Sequence, residues 1–169
     1  KIVAVKTLRE GINHSSEVFI RFKKEAQMPQ KLNHPNILQF IDFIEQDSSV
    51  FIITEYIQGK SLKQLIEENT LPVNDRVKVM LQVAQALDYV HSEGIIHRDI
   101  KASNILLDHN QNVKILDFGV ANLLNFQKMF MRKDEIVGSF AYMSPEQSGM
   151  LKRNIDHRSD LYSLGILFY

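Results

Sequence analysis

Hydrophobic and polar positions follow two rhythms along this chain, with a change of rhythm near Gly59. Lys1 to Lys6 carries β-branched residues in alternation and predicts a strand. Ser15 and Ser16 offer caps for a helix from about Glu17 to Leu32, where charges separate Val18, Phe19 and Phe22. Asn33-His34-Pro35-Asn36 reads as a turn. Two apolar stretches, Ile37 to Ile44 and Val50 to Tyr56, flank the polar Glu45-Gln46-Asp47-Ser48 and predict a hairpin. Beyond Gln58-Gly59 the spacing becomes helical. Ser61 to Glu67 suits a short helix. From Val73 to His91 the residues Val73, Val77, Met80, Ala84, Leu87 and Val90 fall three or four apart, and Gly94 closes the stripe. Ile105-Leu106-Leu107 and Val113 to Leu116 flank Asp108 to Asn112 as a second small hairpin. Asp117 to Met150 has no period, and loops of that length inside compact domains are usually functional or disordered. A last helix begins near Asp160. The expected architecture is α+β and two-lobed, with a sheet and one helix first, a mainly helical part second, and the lobes meeting near Gly59.

Composition narrows the function classes. The 169 residues suit one domain of ordinary size, and 44% apolar with 24% charged residues is a globular balance. Twenty basic residues against 20 acidic ones give zero net charge, which argues against a nucleic-acid grip or membrane anchor built on bulk positive charge. The chain has no cysteine, so disulfides and thiolate metal sites are excluded, and a reducing, cytoplasmic setting is allowed. No apolar run approaches the roughly 18 residues that cross a bilayer. His14, His34, His91, His109 and His157 lack metal-ligand spacing, so solvated or capping roles are expected for them. The chain opens inside a strand and stops at Tyr169 inside an apolar helix, so it reads as a fragment cut at both ends.

Five short stretches occur in a fixed order. Val3-Ala4-Val5-Lys6 ends the first strand, and Glu25 follows nineteen residues later in the first helix. His97-Arg98-Asp99-Ile100-Lys101-Ala102-Ser103-Asn104 follows the long helix. Asp117-Phe118-Gly119 begins thirteen residues after Asn104, and Ser144-Pro145-Glu146 begins 27 after Asp117. Each alone is weak: Asp-Phe-Gly turns up by chance, and His-Arg-Asp could be a solvated turn. Together, in strand, helix and loop contexts, they resemble the eukaryotic-type protein kinases over the whole chain.

That resemblance implies a two-lobed kinase fold truncated at both ends. Residues 1–57 would form a partial small lobe, from its third strand to the hinge. Residues 58–169 would form a partial large lobe with the catalytic loop, the metal-binding segment and the activation segment. Phosphoryl transfer needs a clamped triphosphate, metal ions and a carboxylate that orients the acceptor hydroxyl. The resemblance assigns ATP and Mg²⁺ as cofactors and a protein as substrate. Lys6 would bind the α/β-phosphates, held by Glu25. Asn104 and Asp117 would be the metal ligands, as oxygen donors suit hard Mg²⁺. Asp99 would be the catalytic base and Lys101 would stabilise the transferring group. Ala4 and Leu106 would sandwich the adenine, with Thr54 as gatekeeper and the backbones of Glu55 and Ile57 as hinge; simple core packing is the competing account of these apolar positions. His97, Phe118 and Phe40 would belong to a stacked spine. Glu146 and Asp160 would be structural, the second holding the His97–Arg98 backbone.

Lys101 two residues past Asp99 resembles the Ser/Thr branch, and Ser139 stands where that branch bridges Asp99 and Lys101. The stretch from Ser144 to Gly165 is similar to kinase modules of hybrid Ser/Thr–histidine sensor kinases, which implies attached sensor or histidine-kinase domains. The family's Gly-rich loop would precede Lys1, and further helices would follow Tyr169; without them the fragment itself is expected to be inactive. Pro29 replaces an apolar spine residue and would kink its helix, at about 3 kcal/mol in a regular helix. From Val120 to Val137 there is no Ser, Thr or Tyr to phosphorylate. Glu135, beside Asp134, is placed to pair with Arg98 instead; a solvated charge run is the plain alternative. Two rival functions remain. One is a kinase-like nucleotide-binding regulatory module of a sensor protein with little turnover. The other is a small-molecule phosphotransferase of related fold, which the Ser144-Pro145-Glu146 platform disfavours.

Overall fold

The computed structural model describes residues 2–7, 32–46, 49–117 and 140–169. The expected helix over 17–31, with Glu25 and Pro29, lies outside the described residues, as does 118–139. Leu32 is buried and lies in irregular chain.

Strand β1 (Val3–Thr7) pairs antiparallel with β3 (Ser49–Glu55), which pairs antiparallel with β2 (Phe40–Gln46), in the order β1-β3-β2. Ala4 stands opposite Thr54 and Lys6 opposite Ile52. Direct cross-strand partners share a face, so Ala4, Lys6 and Thr54 lie on one side of this sheet. Two details of the expected hairpin change. Glu45 and Gln46 are strand rather than turn, and the strand starts at Phe40 rather than Ile37. Ile37 is instead drawn away: it is 2% exposed and forms a parallel bridge with Ile115 of the second sheet.

That second sheet has the order β4-β5-β6, from Gly59–Ser61, Ile105–Asp108 and Val113–Ile115. Strand β4 has no hydrophobic signature and was not expected. It exists because Gly59 lies against the backbone of β5, where any Cβ would run into the carbonyl oxygen of Leu107. Ser61 then caps α1 (Leu62–Glu67) with a reciprocal capping box to Gln64.

Helix α2 (Val73–Ser92) ends where Gly94, at φ +73°, lets Ile95 donate to the Val90 carbonyl and Gly94 to that of His91. Its expected stripe is right only at the C-terminal end. Val73 and Val77 are each 68% exposed, whereas Val79, Val83, Ala86, Leu87 and Val90 are buried. The helix is apolar over much of its circumference, and its buried face is the one turned to β6 and to α3 (Arg158–Phe168). Helix α3 starts two residues before the expected Asp160. One core joins these parts: Leu32, Ile37, Leu62, the buried face of α2, Ile100, β5, β6 and Leu164.

The two sheets are stitched together along residues 36–39. Leu38 donates to the Ile115 carbonyl, Ile115 to that of Asn36, and Glu55 to that of Gln39. Lys114 on β6 reaches Glu55 Oε1 at 2.7 Å, with both side chains 19% exposed.

Candidate active site

The catalytic-loop run leaves α2 through Ile95 and Ile96 and is anchored from below by α3. Asp160 is fully buried. Its Oδ2 accepts from the His97 N–H at 2.8 Å, and its Oδ1 from the Arg98 N–H at 2.7 Å. This is the backbone-holding role expected for it. His91 Nε2 makes a third bond to Oδ2, at 2.8 Å. His91 was expected to be solvated or capping; its side chain is 13% exposed and packs into this buried cluster. No sequence spacing announces that role, because the partner lies 69 residues away. His34 fills the capping role of that expectation. It stacks on Tyr89 at 5.2 Å and accepts from the Asn36 N–H, and burial first, then the Lys114 charge, lowers its pKa.

His97 is likewise fully buried. Its Nε2 faces the Leu116 carbonyl at 2.8 Å and its Nδ1 faces the Asp99 N–H at 3.2 Å. Only the Nε2–H tautomer satisfies both, since a carbonyl must accept and an amide must donate. The imidazole thereby spans the segments that carry Asp99 and Asp117.

Asp99, Lys101 and Asn104 converge. Lys101 Nζ stands 2.8 Å from Asp99 Oδ2, and Asn104 Nδ2 donates to the same oxygen at 2.8 Å and to the Asp99 carbonyl at 2.9 Å. The three side chains are close because Ala102–Asn104 winds one 3₁₀ turn before β5. With its amide nitrogen spent on Asp99, Asn104 keeps Oδ1 as the atom fit to meet a cation. Leu116 donates to the Asn104 carbonyl at 2.9 Å, so Asp117 leaves β6 beside Asn104.

At the other side Lys6 Nζ and Asp117 Oδ1 meet at 2.6 Å, with side chains 47% and 38% exposed. Arg98 and Asp117 both hold positive φ, +67° and +57°. Each such residue costs about 1–2 kcal/mol, and the strain sits next to Asp99 and at the carboxylate that meets Lys6. Of the residues expected at the adenine site, Ala4 and Thr54 are sheet neighbours and Leu106 is half-buried on β5. The Glu55 N–H is taken by Gln39 and its carbonyl accepts the Thr54 hydroxyl at 3.2 Å. Glu25, Phe118, Glu135 and Ser139 lie outside the described residues. Among the described residues no three His, Asp or Glu side chains gather into a metal site.

Glu146 accepts the Ser159 hydroxyl, which holds its carboxyl below the ordinary glutamate range. Ser163 ties Tyr142 to α3 at 2.7 Å, so the 140–147 segment is fastened to the same helix as the catalytic loop.

A shared scaffold of this kind, with two small sheets feeding a carboxylate–lysine–asparagine cluster, is that of the protein kinases. The chain matches the family described as protein kinase domain over residues 1–169, and it belongs to that family. It is 38% identical over 170 residues to the serine/threonine-protein kinase PrkC of Bacillus subtilis, covering 99% of this chain and 26% of that protein. It is 34% identical over 172 residues to the serine/threonine-protein kinase PknB of Mycobacterium leprae, covering 99% and 27%. Among solved structures it resembles the Mycobacterium tuberculosis PknI kinase domain, with a TM-score of 0.74, 29% identity, and coverage of 98% of this chain and 61% of that one. The chain thus spans about a quarter of the length of these curated relatives. Membership implies, in general terms, use of ATP with a divalent metal and protein substrates. No helix among the described residues is long and apolar enough to cross a membrane.

Proposed function

We propose that this chain is the catalytic part of a kinase that moves the γ-phosphoryl group of ATP to serine or threonine hydroxyls of protein substrates. One observation carries the reading: the Asp99 carboxylate is held through Oδ2 by both Lys101 and Asn104. Its Oδ1 has no bond among the described residues and is free to accept an incoming hydroxyl. Lys101, whose ammonium stands 2.8 Å from Asp99 Oδ2, would stabilise the charge that develops on the transferring phosphoryl group. Lys6 would hold the α/β-phosphates from β1, on the same face as Ala4 and Thr54. Asn104 Oδ1 and the Asp117 carboxylate would bind Mg²⁺. When bound, that ion neutralises charge on the phosphate oxygens. Ala4, Thr54 and Leu106 would line the adenine site, with the Glu55 carbonyl and the Ile57 backbone as its hinge contacts.

The choice of Ser/Thr over Tyr rests on Lys101 and on the names of the relatives. We further infer that residues 1–57 and 58–169 are parts of two lobes, a division supported by two separate three-stranded sheets. A cytoplasmic location and attached sensor domains fit this reading and await the complete protein. The test is transfer of label from γ-labelled ATP by the full-length protein. Label should be recovered on phosphoserine or phosphothreonine, and Asp99→Asn should lower turnover by about 10²- to 10⁴-fold. Label on tyrosine alone, or parental turnover in Asp99→Asn, would contradict it.

A further inference from the structure

Arg98 occupies the left-handed region immediately before Asp99. A non-glycine residue resists that conformation, so the peptides on both sides of it need to be held. Asp160 holds one side, accepting from the N–H groups of His97 and Arg98. The other side is held by a residue with no assigned role. Gln147 Nε2 donates to the Arg98 carbonyl at 2.8 Å. The amide oxygen of Gln147 is engaged as well, accepting from the Ser144 N–H at 3.2 Å and from the Ser144 hydroxyl at 3.0 Å. Ser144 is fully buried, so this oxygen is fastened to a fixed point of the 140–147 segment.

We propose that Gln147 is a positioning residue for phosphoryl transfer, acting through the Arg98 carbonyl on the direction of the Asp99 carboxylate. The inference rests on the kinase reading of Asp99. The Arg98 carbonyl and the Asp99 N–H belong to one planar peptide unit. One edge of that plane is held by Gln147 and the other by His97 Nδ1 at 3.2 Å. With both edges held, the plane cannot swing, and the Asp99 side chain leaves it in one direction. Transfer is sensitive to misplacement of about 1 Å at this carboxylate. One amide also makes seating of the Ser144–Pro145–Glu146 segment and alignment of Asp99 a single event. The catalytic loop is aligned when that segment is in place and loosened when it is not.

Two substitutions in the complete protein separate the halves of the amide. Gln147→Glu keeps an acceptor for Ser144 but, when ionised, has no donor for the Arg98 carbonyl. Gln147→Met keeps the length and loses both. At about pH 8 both should lower kcat by about tenfold, with KM for ATP within about twofold of the parent. Lowering the pH toward about 5.5 begins to protonate the glutamate and supplies a donor. The ratio of Gln147→Glu to parent kcat should then rise, while that of Gln147→Met should stay flat. Amide hydrogen exchange at 97–100 should be faster in both variants at about pH 8. Parental kcat in Gln147→Glu at that pH would overturn the inference, because only the Ser144 side would then matter. If the parent transfers no phosphate, the kinase reading fails, and exchange at 97–100 still decides the clamp: unchanged protection in Gln147→Glu overturns it.

Discussion

At one end of the site a fully buried carboxylate, Asp160, takes hydrogen bonds from His97, Arg98 and His91. At the other, Lys6 and Asp117 meet at 2.6 Å with side chains 47% and 38% exposed. The contrast is one of solvent. Burying a carboxylate costs several kcal/mol unless good donors replace water, and three of them do so here. The exposed pair keeps most of its hydration and is worth roughly 0–1 kcal/mol. On the proposed reading the acceptor end is therefore built before substrate arrives, as alignment of a catalytic base would require. On the same reading the Lys6–Asp117 end would exchange its ion pair for phosphate and metal at little cost.

The sharpest way to break this comparison is to remove charge from each end. Asp160→Asn swaps one accepting oxygen for an NH₂ that faces the donors now served. We expect it to destabilise the protein by about 3 kcal/mol and to remove most activity. Lys6→Met should change stability by less than about 1 kcal/mol, a loss reduced further by salt. Urea unfolding of both variants checks the difference, and equal effects would erase it.

The sequence makes these two ends unequally legible. Asp99, Lys101 and Asn104 also take their meaning from the order of the motifs, but they are near in sequence, and one 3₁₀ turn brings them together. Asp160, Lys6 and Asp117 have only the order of the motifs, because their partners lie far away in sequence. Gln147 and His91 carry no signal at all, since their partners are chosen by tertiary packing across 49 and 69 residues. The same physics misdirects the stripe of α2. A helix that is apolar over much of its circumference offers several periodic faces, and the neighbours decide that Val79 and Val83 are buried while Val73 and Val77 are not. Strand β4 escapes notice because a glycine and two polar residues pair through backbone alone.

The smallest effect concerns a surface pair beyond both ends. Arg158 donates to Asp156 through Nε and Nη2, and these bonds hold the Asp156 carboxyl down at about 2. Its folded pKa lies below the unfolded value, so its contribution is complete above about pH 4 and fades as pH falls through about 2. Asp156→Asn should flatten the pH dependence of stability only in that acid window. Solvent screening of this surface pair keeps the change small, and acid titration of the unfolding midpoint detects it.

The division of labour between the two ends is tested most directly by calorimetric titration of Mg·ATP into Asp99→Asn and Asp117→Asn of the complete protein. Asp99→Asn should bind with nearly parental affinity, because its carboxylate serves the acceptor hydroxyl. Asp117→Asn should lose the Mg²⁺-dependent part of binding, because it removes the anionic ligand. Equal losses in both variants, or undiminished Mg²⁺-dependent binding in Asp117→Asn, would contradict the account.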